Sequence, residues 1–188
     1  MAKKIYEACR RLLTTCANCQ PNENILIVTD TDSLEIGMAL WDAAEEFPKK
    51  TMVMMEPRKM HGEEPTPLVA AAMLKADVIF RATKFSLSHS HARRDACAAG
   101  ARDLNCCDYS IEMLEKGGLY TDFEADRKYV DQLLKSMADG DQVHITSEAG
   151  TDYYASIKGH KLFPQYGMVR NPGETCSPPD IEMASGAM

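Results

Sequence analysis

Apolar runs of strand type alternate with segments of helical periodicity along residues 1–139, and this alternation restricts the fold more than any other feature. Helical spacing of apolar residues recurs between the runs, for example at Leu34, Met38 and Trp41. Strands that alternate with helices form parallel sheets with right-handed crossovers. The sequence therefore predicts an α/β fold, a three-layer, Rossmann-like parallel sheet flanked by helices. The strand patterns cover residues 24–30 (NILIVTD), 51–55, 77–83 and, more weakly, 103–107.

The pattern changes after Gly140. The preceding helix, at about residues 123–138, is predicted from a capping box of Thr121 and Glu124 and ends before Gly140. Residues 142–167 then alternate short β-type runs with glycine turns, which predicts antiparallel hairpins. We therefore expect two domains. An α/β domain covers residues 1–139, and residues 140–188 form the incomplete beginning of a second, β-rich domain.

The balance of charge argues against nucleic-acid binding. The 188 residues carry a formal net charge of -7 with an isoelectric point near 5.2, whereas a nucleic-acid surface needs clustered Lys and Arg. No secretory signal is evident, and the longest apolar runs, such as residues 68–74 (LVAAAML), are too short to cross a bilayer. We expect a soluble cytoplasmic protein that binds neither nucleic acid nor membrane.

Seven cysteines without a signal sequence favour a reducing compartment over a disulfide framework. Cys16 and Cys19 form a CxxC pair, but neither a second pair nor two nearby histidines complete a zinc site. We therefore expect the cysteines to act as small buried apolar residues, with metal binding or redox chemistry as the alternative.

Two aspartates follow the first predicted strand in TDTDS (residues 29–33). Ligands of open α/β sheets bind at the carboxyl ends of the strands, which makes Asp30 and Asp32 candidates for a ligand or cation contact. A phosphate cradle would use glycines and backbone N–H groups, and this loop has no glycine. Turn formation and helix capping are the simpler interpretation of both residues.

SLSHSHAR (residues 86–93) follows the third predicted strand and contains His89, His91 and Arg93. Two histidines at positions i and i+2 can meet one metal ion only from an extended strand. Here the segment turns into a helix, so the two rings are expected to face apart. Binding of an anion or a contact between domains is the other interpretation of these residues.

A carboxylate follows a Pro-Gly turn near the end of the chain, where RNPGETCSPPDIE covers residues 170–182 and includes Glu174. A single glutamate on a turn is a weak signal, because solvated glutamates are common on protein surfaces. From spacing alone, Glu174 is expected to be a solvated surface residue, and a role as a ligand is the less favoured alternative.

These motifs occur in an order that resembles the aminopeptidase T family. That family consists of metal-dependent aminopeptidases, and its relatives include an iron-dependent dihydroxypyridine ring-cleaving dioxygenase. The resemblance covers most of the chain. It rests on SLSHSHAR, GAR (residues 100–102), ITSEAGTD (145–152), IKGHK (157–161), and PGE (172–174) followed by Pro178.

The resemblance implies an α/β amino-terminal domain and a second domain that carries most of a two-metal site. Glu174 stands at the position of the first metal ligand of the aminopeptidases, and zinc, cobalt, manganese or iron would be the metal. The other ligands lie further downstream in that family. We therefore expect residues 140–188 to begin a metal-binding domain, and this chain alone to hold no metal stably.

The expected function is that of the amino-terminal part of an aminopeptidase T-like metallopeptidase, a hydrolase of N-terminal peptide bonds that is inactive as this chain alone. Glu174 is followed by Thr-Cys-Ser-Pro, whereas the aminopeptidases have Val-Phe, and this favours the alternative of a dihydroxypyridine dioxygenase-like enzyme. A stand-alone α/β small-molecule-binding or oligomeric scaffold module is a further alternative. The expected partners are copies of the chain in a homo-oligomer, or a missing carboxy-terminal half.

Overall fold

Five parallel strands form the largest sheet in the computed structural model, which describes residues 2–186 and, for residues 182–186, the backbone alone. The strand formed by residues 25–30 lies inside this sheet and is buried along its whole length, as its apolar run ILIV predicts. The expected parallel α/β fold is confirmed. In spatial order the strands are β2 (Lys50–Met55), β1 (Ile25–Asp30), β3 (Val78–Ala82), β4 (Arg102–Asn105) and β8 (Thr175–Cys176).

Helices cover both faces of this sheet. Side chains alternate between the faces of a strand, so Leu26 and Val28 of β1 face one side and Thr29 faces the other. Leu26 and Val28 belong to a core that includes Val69 and Met73 of one helix and Ala92 and Ala96 of the next. Those helices are α3 (Pro67–Met73) and α4 (His91–Ala98), and the other face carries α1 (Lys3–Arg11), α2 (Leu34–Ala43) and α5 (Ile111–Lys116).

Gly37 brings α2 close to the sheet. A Cβ atom at this position would lie 2.8 Å from Oγ1 and 2.9 Å from Cβ of Thr29, which is itself fully buried in β1. A glycine in the middle of a helix lowers its intrinsic stability. At Gly37 the absence of a side chain permits the close contact between α2 and β1.

The chain divides into two compact units. The first runs to Thr121 and includes Gly167–Pro179, and the second consists of Asp122–Tyr166 and the chain from Asp180 onward. The expected boundary near residue 139 therefore falls inside the second unit, and the assignment of residues 140–188 to a separate domain stays a prediction.

The second unit consists of one helix and two antiparallel strand pairs, residues 142–146 with 152–156 and residues 161–166 with 181–186. The helix is capped by Asp122, whose side chain accepts a hydrogen bond from the N–H of Ala125 at 3.1 Å. Asp122 therefore takes the capping position that the sequence pattern assigns to Thr121. The elements are α6 (Phe123–Met137), β5 (Gln142–Thr146), β6 (Asp152–Ser156), β7 (Lys161–Tyr166) and β9 (Ile181–Gly186).

Three further features differ from expectation. α1 continues into a π-helical turn at Leu12–Cys16, and α5 is followed by a 3₁₀ turn at Gly118–Tyr120; the sequence pattern shows neither turn. β8 joins the parallel sheet beside β4, although it lies within residues 140–188, which were expected to begin a separate β-rich domain. Its two residues are too few to produce a recognisable period. None of the helices among residues 2–186 is long and apolar enough to cross a membrane.

Candidate functional site

The loops that follow the parallel strands lie along one side of the sheet, where open α/β sheets bind their ligands. We call this side the carboxyl edge. Because β1 lies between β2 and β3, the strand order reverses beside β1 and creates a switch point there. The carboxyl edge comprises residues 31–33 after β1, 56–66 after β2, 83–90 after β3, 106–110 after β4 and 177–179 after β8.

Asp30 lies at the switch point and links the two loops beside it. Its side chain is fully buried at the end of β1. One carboxylate oxygen accepts a hydrogen bond from the backbone N–H of Ser33 at 2.9 Å, and the other accepts one from the backbone N–H of Lys84 at 2.7 Å. The neighbouring Asp32 is exposed. Asp30 thus joins the loops after β1 and β3, whereas Asp32 is accessible from solvent, and a ligand contact of either residue stays a prediction.

The loop after β2 is hydrogen-bonded to the loop after β3. The backbone N–H of Ser86 donates to Nδ1 of His61 at 3.1 Å, and the N–H of Gly62 donates to the carbonyl of Ser86 at 2.8 Å. The ring of His61 meets that of Phe85 edge to face, with centroids 5.3 Å apart. Because Nδ1 accepts a hydrogen bond, the neutral ring carries its proton on Nε2. The exposed His61 therefore presents a donor at the carboxyl edge.

The SLSHSHAR segment is divided between a loop and α4. His89 is exposed in the loop and His91 is the first residue of α4, so the two histidines lie on different elements. Ser90 caps the helix, since its Oγ accepts a hydrogen bond from the N–H of Arg93 at 3.2 Å. The guanidinium of Arg93 donates to the carbonyl of Ser88 at 2.8 and 2.5 Å. Arg93 thus closes the loop, and the predicted ligand roles of His89, His91 and Arg93 stay predictions.

Glu64, from the loop after β2, also caps α4. Its carboxylate oxygens accept hydrogen bonds from the backbone N–H of His91 at 2.5 Å and of Ala92 at 3.2 Å. The hydrogen bond from His91 is the largest influence on Glu64 and lowers its pKa. A negative charge is also favourable at a helix N-terminus. The contact ties the loop after β2 to the start of α4.

A buried ion pair lies next to the carboxyl edge. Arg81 of β3 and Asp103 of β4 are both fully buried. Nε and Nη2 of Arg81 lie 2.6 and 2.8 Å from the two carboxylate oxygens of Asp103. The hydroxyl of Thr175 in β8 donates to the same carboxylate at 2.7 Å. Side chains of three neighbouring strands are thereby linked.

The remaining donors of Arg81 organise a group of half-buried side chains that we call the polar cluster, namely Ser86, Ser88, Asn105 and Ser177. Nη1 of Arg81 donates to Oδ1 of Asn105 and Nη2 donates to Oγ of Ser88, each at 3.2 Å. Because a guanidinium only donates, it fixes the orientation of the Asn105 amide, whose Nδ2 donates to Oγ of Ser177 at 3.3 Å. The hydroxyl of Ser86 donates to Oγ of Ser88 at 2.8 Å.

The polar cluster offers hydroxyl and amide groups rather than net charge. The charge of Arg81 is balanced by Asp103 within hydrogen-bonding distance. Hydroxyl and amide groups both donate and accept hydrogen bonds, so they suit a polar, uncharged ligand. His61 adds an N–H donor on the same edge. The geometry favours recognition of hydroxyl or ring-nitrogen groups over binding of a phosphate.

All seven cysteines are free, and six of them are buried. Burial raises the pKa of Cys9 and of Cys16 to about 12. Burial also raises the pKa of the partly exposed Cys107, whose thiol donates to the carbonyl of Lys84 at 3.3 Å. Since the thiolate is the reactive form, the raised pKa values disfavour reaction at these thiols. Burial of six cysteines agrees with the expected role as small apolar residues, whereas Cys107 is only half-buried.

Glu174 lies on the opposite side of the sheet. It directly precedes β8, and its carbonyl accepts a hydrogen bond from the N–H of Asp103, near the start of β4, at 3.0 Å. It closes a turn in which its own N–H donates to the carbonyl of Asn171 at 3.2 Å, and Gly173 has a φ of 85° that favours glycine. The structure therefore does not bring Glu174 together with the predicted residues of the carboxyl edge.

The carboxylate of Glu174 binds its own turn. One oxygen accepts hydrogen bonds from the backbone N–H of Arg170 at 2.6 Å and of Asn171 at 2.9 Å, and the other accepts one from the Asn171 amide at 2.6 Å. Partial burial acts to raise the pKa of Glu174, but these hydrogen bonds outweigh it and the pKa is lowered. The ionised carboxylate holds the turn closed, and its role as a metal ligand stays a prediction.

A metal centre needs several ligands at one place. In the part of the chain that the structure describes, no group of three or more His, Cys, Asp or Glu residues could hold a metal ion. Glu174 is separated from the acidic and histidine residues of the carboxyl edge. The described side chains therefore do not fit a complete metal centre.

Comparison with known proteins identifies the family. The model of the family NicX, 2,5-dihydroxypyridine 5,6-dioxygenase, matches residues 4–181, nearly the whole chain. The chain belongs to the NicX family. A search of the curated proteins finds no match.

One solved structure shows the same fold as this NicX family member. It is the 2,5-dihydroxypyridine dioxygenase of Pseudomonas putida KT2440, with a TM-score of 0.74 and 17% sequence identity. The similarity covers 97% of this chain and 56% of the dioxygenase chain. The chain thus spans little more than half the length of that relative. At this level of identity the likeness concerns the fold.

The NicX match corrects the expected function. The interpretation as an aminopeptidase T-like metallopeptidase and hydrolase is wrong, and the dihydroxypyridine dioxygenase named as a relative fits better. The structure supplies the physical reason for the error. SLSHSHAR caps α4 and PGE closes a turn, so both motifs serve the fold and do not distinguish a hydrolase from a dioxygenase. Membership of a dioxygenase family is compatible with the expected divalent metal, iron included.

Sequence reasoning missed the polar cluster and the ion pair beside it. The signal was present, because Arg81 interrupts the apolar run VIFRA of β3. A charged residue in a buried strand needs a partner, and Asp103 and Asn105 follow at alternate positions of the next strand, on one face. Ser86 and Ser88 lie in SLSHSHAR, where the histidines and Arg93, not the serines, were the predicted ligand residues. Ser177 could not be found, because it depends on the return of β8 to the sheet.

Proposed function

We propose that this chain forms the α/β part of an enzyme that cleaves 2,5-dihydroxypyridine, or a closely similar hydroxylated pyridine, with molecular oxygen. The NicX family match over residues 4–181 carries the proposal. In a 5,6-dioxygenation the bond between ring carbons 5 and 6 breaks, and each carbon gains one atom of O2. The substrate is oxidised, O2 is reduced, and no further reductant is needed.

The fold supports this proposal. The solved 2,5-dihydroxypyridine dioxygenase has the same architecture over 97% of this chain. Because the chain spans 56% of that relative, it is proposed to contribute only part of the active site. Iron is the metal that the resemblance implies for a ring-cleaving dioxygenase, and the described residues do not fit a complete centre for it.

The polar cluster is proposed to bind the hydroxyl groups of the substrate. A dihydroxypyridine is flat and uncharged, and it carries two hydroxyl groups and a ring nitrogen. The hydroxyls of Ser86 and Ser88 and the amide of Asn105 match these groups in hydrogen-bonding character. The buried Arg81 holds both Ser88 and Asn105 in place, so the donors and acceptors are ordered before a ligand binds.

Oxygen consumption tests the proposed activity. The complete enzyme that contains this chain is supplied with ferrous iron and 2,5-dihydroxypyridine, and O2 uptake is compared with loss of substrate absorbance. We expect one O2 consumed per substrate and a product heavier by two oxygen atoms in mass spectrometry. No O2 uptake above that of the iron-containing buffer would overturn the proposed activity.

A pair of serine variants tests the proposed binding role. Ser86→Ala removes one hydroxyl of the polar cluster and should raise KM roughly two- to tenfold with little change in kcat, since one hydrogen bond contributes about 0.5–1.5 kcal/mol. Ser136→Ala is the matched control, because its hydroxyl lies on the exposed surface of α6. Direct titration of the protein with 2,5-dihydroxypyridine by NMR separates binding from turnover. Equal KM values for the two variants would refute the binding role alone.

A further inference from the structure

The two edge strands of the parallel sheet, β2 and β8, differ in how well they are protected from pairing with a further strand. β8 has two residues and is followed by Ser177 and two prolines, Pro178 and Pro179. Short length and nearby proline are features that protect a sheet edge from further pairing. β2 has six residues, all paired in register with β1, and contains no proline. One edge is therefore protected, and the other is available for pairing.

The N–H of Lys50 donates to the carbonyl of Phe47 at 3.3 Å, and beyond Lys50 the outward backbone of β2 has no partner in the part of the chain that the structure describes. Its inward groups pair with β1 from Lys50 to Met55. Apart from this ladder, no hydrogen bond among residues 2–186 reaches the backbone of residues 51–55. Unpaired N–H and C=O groups along a strand of this length are a template for another strand.

The side chains of β2 show which residues would meet another strand. Val53 and Met55 pack on the core beneath α3 and α4. Lys50, Met52 and Met54 alternate with them and face α2. Nζ of Lys50 donates to the carbonyl of Trp41 in α2 at 2.8 Å. Met54 is 54% exposed and so presents a large apolar side chain to solvent on this edge strand.

Complementary charges favour a second copy of this chain as the partner that pairs with β2. In an antiparallel pair centred on Val53, Met52 lies opposite Met54 of the second copy, and Lys50 lies opposite Glu56 of the second copy. Cross-strand neighbours share one face of a sheet, so these charges meet. Glu56 is exposed, and within residues 2–186 it forms no ion pair. Two-fold symmetry produces the Lys50–Glu56 contact twice.

We propose that two copies of this chain associate through β2, antiparallel and two-fold symmetric about Val53, so that their five-stranded sheets become continuous. A two-fold contact uses the same surface on both copies and leaves no new strand exposed. Parallel addition of a strand would instead create another open edge. The exposed Met54 side chains become buried beside the axis, which adds apolar contact to the backbone pairing.

Charge reversal tests the register. Sedimentation velocity of the 188-residue chain over a range of concentrations gives the dimer dissociation constant. Glu56→Lys places like charges opposite each other twice and should weaken the dimer about tenfold or more. Lys50→Glu should do the same, and the double variant Lys50→Glu/Glu56→Lys should recover most of the loss. A purely structural effect of either residue would not be rescued by the second change.

Two further measurements locate the interface. Met54→Lys should weaken the dimer at least tenfold, whereas Leu68→Lys, at an 85% exposed apolar residue of α3, should leave it unchanged. Hydrogen exchange of the β2 amides should slow as the protein concentration rises. A monomer at all concentrations would overturn the proposal. So would a dimer that Met54→Lys and the charge reversals do not affect, or β2 amides protected by a different protein.

Discussion

The guanidinium of Arg81 and the carboxylate of Asp103 form two hydrogen bonds, at 2.6 and 2.8 Å, with both side chains fully buried between neighbouring strands. Removing both charges from water is costly, and good geometry is needed to offset that cost. Thr175 adds a third contact to the carboxylate. The pair joins β3, β4 and β8 and orients Asn105 in the polar cluster.

Removal of one partner of this pair should be strongly destabilising. Asp103→Ala leaves a buried guanidinium without its counter-charge, so we expect the free energy of unfolding to fall by about 3–5 kcal/mol. Urea denaturation followed by circular dichroism measures the change. Replacing both residues with apolar ones, as in Arg81→Met/Asp103→Leu, should cost less than the single change. Glu112→Gln, in an exposed ion pair of α5, is the control and should have little effect.

Gly37→Ala should destabilise the protein although alanine favours helices. The intrinsic gain is about 1 kcal/mol, but the new Cβ would lie 2.9 Å from Cβ of the buried Thr29. Overpacking of this kind costs about 1–3 kcal/mol. We expect a lower thermal midpoint in calorimetry. In a Thr29→Ala background, which removes two of the three closest atoms, the same substitution should cost less, and an unchanged cost would contradict the steric explanation.

The alternation of apolar strands and helices was enough to predict the parallel sheet, because burial on both faces requires apolar runs such as ILIV at the start of β1. It could not predict β8, which has two residues and depends on pairing with β4, far away in the chain. The same limit applies to the site. Asp30 was found at the carboxyl edge from its position after a strand, whereas the role of Arg81 depends on which strands are neighbours.

The cap of α4 should contribute measurably to stability. Oγ of the buried Ser90 accepts from the N–H of Arg93 at 3.2 Å and donates to the carbonyl of Leu87 at 2.8 Å. Ser90→Ala leaves both groups without this partner and should reduce the free energy of unfolding by about 1 kcal/mol. Urea denaturation measures it. Ser136→Ala, at an exposed position within α6, should be neutral or slightly stabilising, and equal effects of the two changes would refute the capping role.

Glu174 should make stability depend on pH in the acid range. Its pKa in the folded protein is lowered below the ordinary value of 4.5, so its stabilising effect is fully present above pH 4.5 and is lost as the pH falls through the folded pKa. Glu174→Gln removes the charge, and its amide nitrogen cannot accept the hydrogen bond that the second carboxylate oxygen takes from the Asn171 amide. The urea midpoint of the variant should therefore be lower than that of the wild type at neutral pH.

The difference between Glu174→Gln and the wild type should shrink as the pH falls, because protonation removes the same charge from the wild type. Urea titrations from neutral pH to below the folded pKa follow this convergence. Glu148→Gln serves as the matched control. Its carboxylate is exposed in the turn between β5 and β6, so its urea midpoint should follow the wild type at every pH. A constant difference for Glu174→Gln would show that the carboxylate's charge does not hold the turn.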